Sequence, residues 1–117
     1  MITQRWDKEV DGDLQRAIVY YSILSNVNEL DLTVRQVELL AFTSLRGTIS
    51  SITAKREFAR RFSSSVDSVG NLISNLYRRQ FLQKEGKRIF VNPAIDFDFS
   101  EDIVINIRIS GPKRKDN

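Results

Sequence analysis

Apolar residues between positions 33 and 82 recur at helical spacing, and three amphipathic segments follow from them. In the first, Val37, Leu40, Ala41 and Leu45 share one face, widened by Leu39 and Phe42. Thr33 with Gln36 three residues on forms a capping box at its start, and Gly47 ends it, so a helix is predicted over 33–46. In the second, Ala54, Phe58 and Phe62 recur every four residues with Ala59 beside them, and Thr53 is the expected cap. Ser63, Ser64 and Ser65 break that pattern, because serine hydroxyls compete for backbone hydrogen bonds and favour turns and caps. In the third, Val69, Leu72, Ile73 and Leu76 form a single stripe, with Ser65 as the N-cap and Asp67 suited to the positive end of the helix dipole.

Outside this region the periods change. Residues 81–83 and 88–91 read as a hairpin around Lys84-Glu85-Gly86-Lys87, with glycine supplying the positive φ of a tight turn, and Asn92-Pro93 closes it. The connection at 47–52 can bridge to this hairpin as a short strand. Ile103, Ile105, Ile107 and Ile109 alternate with Val104, Asn106, Arg108 and Ser110, which predicts a strand. Residues 14–30 are ambiguous: Leu14, Ala17, Ile18 and Tyr21 would line a helix, while β-branched and aromatic content favours a strand. The strand is the preferred reading on that content, and residues 14–27 are then the best partner for the segment at 103–109, within one chain or across a dimer. Residues 1–13 read as a loose arm, whose Trp6 docks either on a partner or on its own domain. Residues 14–110 read as one domain, and 111–117 as a disordered basic tail offering Lys113, Arg114 and Lys115 to phosphates.

The second and third helices with their serine turn read as a helix-turn-helix. Asp67, Asn71, Ser74 and Arg78 lie opposite the buried stripe of the third helix, where such side chains can hydrogen-bond base edges and phosphates. The stretch from Glu57 to Leu82 resembles the winged helix-turn-helix superfamily, especially regulators of the MarR kind. Glu57, Phe58, Ala59, Phe62, Ser65, Val69, Leu72 (or Ile73), Leu76, Phe81 and Leu82 match that family's pattern without a gap. Two positions depart from it: Ser63 stands at the turn glycine and Gln80 at the glycine before the wing, both positions that favour a left-handed backbone. The resemblance covers roughly residues 33–92. It implies an α+β fold, a three-helix core plus a β-hairpin wing, to which the N- and C-terminal strands are added here. It also implies a recognition helix at 66–79 and a wing at 81–91 that grips the DNA backbone or minor groove. The candidate DNA-binding set is Lys55, Arg56, Arg60, Arg61, Ser65, Asp67, Ser68, Asn71, Ser74, Asn75, Arg78, Arg79, Lys84, Lys87 and Arg88.

Charge adds to that picture. The chain of 117 residues has a net charge of only +3. Residues 55–88, however, hold nine basic and three acidic residues, while 1–54 and 89–117 are each slightly acidic. Concentrated positive charge is expected of a surface that meets phosphates, and the plain alternative is a solvated charged face. Chemistry is mostly excluded by what is missing. There is no cysteine and no histidine, so disulfides, thiolate nucleophiles, imidazole bases and the usual zinc sites are ruled out. No serine has a base to activate it, and Asp96, Asp98, Glu101 and Asp102 read as an acidic surface turn without a phosphate loop beside them. No enzyme activity, cofactor or metal is expected. No apolar run suggests a membrane span and the N-terminus lacks a signal-peptide core, so a cytoplasmic protein is expected, and the small size and isolated winged domain suggest a bacterial or phage-infected cell.

The expected function is sequence-specific binding of double-stranded DNA, as a small transcription regulator, with a homodimer formed through the terminal strands. The competing expectation is a winged-helix assembly module that binds protein, in phage packaging, replication, the virion or the transcription machinery. Asn71, Ser74 and Arg78 favour the first, because a protein-binding face would carry more apolar residues there.

Overall fold

A computed structural model of the chain describes residues 1–112. Its elements are α1 (Asp13–Val27), α2 (Val34–Arg46), α3 (Ile52–Arg61), α4 (Val66–Arg78), β1 (Leu82–Glu85), β2 (Arg88–Val91) and a 3-10 turn at Pro93–Ile95. Four helices and one antiparallel hairpin make an α+β architecture compatible with a winged helix. Among the described residues no helix is long and apolar enough to cross a membrane.

The helix boundaries follow from local chemistry. At α2, Thr33 accepts from the Gln36 amide while the Gln36 side chain accepts from the Thr33 amide, and Gly47 closes the helix at φ 92. Ser65 caps α4 by accepting from the Ser68 amide. The cap of α3 is Ser51, which accepts from the Ala54 amide, and not Thr53, so this helix starts two residues earlier than expected. Ser63 and Gln80 both adopt the left-handed backbone, with φ 52 and 67. The two non-glycine residues therefore occupy the glycine-type conformation anticipated for them, at a cost in strain.

The three stripes converge on one core. Leu39 and Leu40 of α2, Phe58 of α3, Val69 and Leu76 of α4, and Leu82 and Val91 of the hairpin are buried together. Phe58 lies edge-on to Phe42 with ring centroids 5.6 Å apart and packs at a tilt against Phe62, with centroids 4.8 Å apart. Leu45 departs from expectation: it sits at the exposed end of α2. The hairpin pairs Leu82 with Val91 and Glu85 with Arg88, leaving Gly86-Lys87 as the two-residue turn. Gly86 takes φ 60 at the first turn position, where a type II′ turn uses glycine. The connection before α3 does bridge to the hairpin: the Ile49 amide donates to the Ile89 carbonyl at 3.0 Å, and the Ile89 amide donates to Ser50 Oγ at 2.9 Å.

Both terminal segments differ from the strands expected of them. Residues 14–30 are not a strand, because α1 covers nearly all of them. Leu14, Ala17, Ile18, Tyr21 and Leu24 face the core at helical spacing, and burial of that face overrides the β propensity of Val19 and Ile23. Residues 101–112 adopt no strand, and β1 and β2 are the only strands among the described residues. A strand needs a paired edge, and with α1 helical the expected intrachain partner does not exist. The acidic stretch before it is anchored and does not merely run over the surface. Phe99 is buried against Tyr20 and Tyr21, with centroids 5.6 and 5.7 Å away. Arg16 donates from Nε to the Phe99 carbonyl at 2.7 Å and from Nη1 to the Val10 carbonyl at 3.0 Å, so one side chain ties both ends of the chain to α1. Tyr21 donates its hydroxyl to the Ile95 carbonyl at 2.7 Å, and burial pushes its phenol pKa up. Trp6 does not pack on its own domain; it is exposed in the arm that precedes α1. Of the expected tail, residues 113–117 lie outside the described residues.

Candidate nucleic-acid interface

Helix α4 owes its orientation to its apolar stripe. Val69, Ile73 and Leu76 are buried and Leu72 is half-buried, so the opposite side of the helix faces solvent. Asp67, Asn71, Ser74 and Arg78 are all exposed, and none has a hydrogen-bond or ion-pair partner among the described residues. Their donors and acceptors are free for a ligand. Ser65 and Ser68 at the start of the helix are exposed too but mutually engaged: Ser65 Oγ donates to Ser68 Oγ at 2.8 Å.

The remaining candidates divide by what holds them. On α3, Arg56, Arg60 and Arg61 are exposed and Lys55 is half-buried, all without partners among the described residues. Lys87 stands free in the hairpin turn. Others are taken up by the fold. Asn75 is half-buried and accepts from Gln36 Nε2 at 2.7 Å, a bond joining α2 to α4, so its side-chain oxygen is engaged within the fold. Arg79 donates to the Leu30 carbonyl and lies 5.1 Å from the centroid of the Phe81 ring. Arg88 lies 4.9 Å from the Phe90 centroid and reaches the Gly47 carbonyl at 3.4 Å. Lys84 Nζ sits 4.3 Å over the ring of Tyr77, which draws the hairpin toward the C-terminal end of α4. Tyr77 was not among the candidates, yet it is an exposed aromatic between the helix and the hairpin. Its place one residue before Arg78 on the predicted helix was the available signal.

The acidic cluster resolves into a local turn. Asp98 accepts from the Ser100 hydroxyl at 2.6 Å and the Ser100 amide at 3.0 Å, and these bonds hold its carboxyl below the usual carboxylate range.

Gly70 lies on α4 beside Asn71. A β-carbon built there would meet nothing within 4 Å, so no neighbouring helix requires the glycine. Gly70→Ala is therefore expected to stabilise the free protein by about 1 kcal/mol, since glycine is that much poorer inside a helix. Thermal unfolding measures this directly. If the same substitution weakens DNA binding, the glycine serves a close approach to the ligand; if it destabilises the protein, the packing described here is wrong.

Comparison with protein-family models, with curated proteins and with solved structures finds no match to this chain.

Proposed function

We propose that the chain is a winged helix-turn-helix protein that binds duplex DNA sequence-specifically, as a small transcription regulator. In this reading α3 and α4 are the helix-turn-helix, α4 enters the major groove and the hairpin is the wing. The carrying observation is the outer face of α4, where Asn71, Ser74 and Arg78 are exposed and unpartnered among the described residues while Val69, Ile73 and Leu76 on the opposite face are buried in the core. Asn71 lies in the half of the helix that enters a groove most deeply and can bond adenine in two places. Arg78 lies about two turns later and reaches phosphate. Arg56, Arg60 and Arg61 on α3 and Lys87 on the wing supply further phosphate contacts, which position the protein without reading sequence. The left-handed Ser63 and Gln80 support the winged-helix assignment, because they stand where the resemblance places glycines.

A second reading, a winged-helix module that binds protein, draws support from a different observation. Arg79, Lys84 and Arg88 are engaged with the chain's own carbonyls and rings, which lowers the charge left free for phosphates.

The two readings separate in a selection from random duplexes using the wild type and Asn71→Ala. The DNA reading expects one enriched motif for the wild type and a changed preference for the variant, at about 1–3 kcal/mol on the best site. Enrichment of the same motif by both proteins would remove Asn71 from base reading. Enrichment of nothing would favour the protein-binding module.

A further inference from the structure

Residues 102–112, like the arm at residues 1–9, form a described segment that lacks internal support. They follow the buried anchor Phe99, and none of their backbone groups meets a hydrogen-bond partner among the described residues. Their side chains nevertheless carry a two-residue period. Ile103, Ile105 and Ile107 are 36%, 40% and 53% exposed, against 83% for the intervening Val104, while Ile109 at the far end of the row is 96% exposed, so the first three isoleucines form the more shielded face. An unpaired extended segment of this kind is a template for strand addition.

The distribution of charge along it selects the partner. Asp102 and Arg108 have opposite signs, stand on the same face as Val104 and Asn106, and pair with nothing among the described residues. They are equidistant from Ile105. An antiparallel copy of the same segment, related by a twofold axis through Ile105, therefore sets Asp102 opposite Arg108 twice, Val104 opposite Asn106 and Ile103 opposite Ile107. We propose that two copies of this chain associate through that strand pair, in that register. A parallel in-register pair would set Asp102 against Asp102 and Arg108 against Arg108, which is repulsive. Shifting the axis to Asn106 leaves Arg108 opposite Val104 and separates the charges. A two-stranded ribbon alone is marginal in water, so one face needs cover, and the apolar isoleucine row offers that face to the two domains.

The chain contains no cysteine, which makes single-cysteine cross-linking clean. Directly opposed residues in an antiparallel pair lie about 4.5–5.5 Å apart at Cα, within disulfide range. Ile105→Cys in the full chain should form a covalent dimer under mild oxidation. Ile103→Cys should not, because its two copies would be about 14 Å apart, four residues along the strand. Sedimentation equilibrium should show a dimer for the wild type, at least roughly tenfold weaker for Arg108→Asp and restored for the double variant Asp102→Arg/Arg108→Asp. A monomeric wild type would overturn the proposal. So would equal cross-linking at 103 and 105, a dimer indifferent to Arg108→Asp, or a double variant that is not restored.

Discussion

Replacing Phe58 with alanine is expected to cost about 3–5 kcal/mol of folding stability, the usual range for emptying a buried aromatic site. Phe58 is fully buried and is the ring on which both Phe42 and Phe62 pack. Removing it leaves a cavity between α2 and α3 that the rigid helices cannot close. A single domain of this size has about 5–15 kcal/mol in total. The melting temperature should therefore fall by about 12 °C or more. The effect should be far smaller for Phe62→Ala, whose ring is only half-buried at the C-cap of α3. Equal losses at the two positions would mean that the core is not centred where the three stripes converge.

The second large effect concerns binding. Arg60, Arg61 and Lys87 are exposed, lack partners among the described residues and contribute nothing to the core. Replacing all three with alanine should leave the melting temperature nearly unchanged. If each meets a phosphate, DNA affinity at roughly 0.1 M salt should drop by about 10²–10³-fold, and the salt slope should shrink by about 3. The loss should be the same for every duplex, because phosphate contacts carry no base information. Arg79 makes the contrast. Its bond to the Leu30 carbonyl and its place over Phe81 predict that Arg79→Ala acts on stability more than on DNA.

Features set by neighbours in sequence were legible before the structure. The Thr33–Gln36 capping box, the Gly47 terminator, the Ser65 cap and the buried stripe of α4 each depend on residues within a turn or two, and each is found. The left-handed backbone at Ser63 and Gln80 was legible only through the family pattern, since nothing in a serine or a glutamine announces a positive φ. The first helix is not legible in the sequence because its residues satisfy both periods. Leu14, Ala17, Ile18 and Tyr21 line a helix while Val19, Tyr20 and Ile23 keep the β-branched and aromatic character of a strand, and only packing against α2 and Phe99 decides between them. The alternation at 103–109 predicts a strand, but alternation does not supply a paired edge.

Within the candidate site the same division holds. That Asp67, Asn71, Ser74 and Arg78 would face outward followed from helical geometry alone. That Asn75, Arg79 and Arg88 would be occupied did not, because their partners Gln36, Leu30 and Gly47 are 39, 49 and 41 residues away in sequence. Charge counting treated all nine basic residues of 55–88 alike, whereas the fold leaves some of them free and engages the others.

The most direct measurement of the central claim is the affinity of the wild-type protein for duplex DNA as a function of salt. With about four to six phosphate contacts drawn from Arg56, Arg60, Arg61, Arg78, Lys87 and their neighbours, log affinity should fall against log salt with a slope of about −4 to −5. Binding should be evident at roughly 50 mM salt. A flat salt response, or no binding at that concentration, would contradict the account and leave the outer face of α4 to a protein partner.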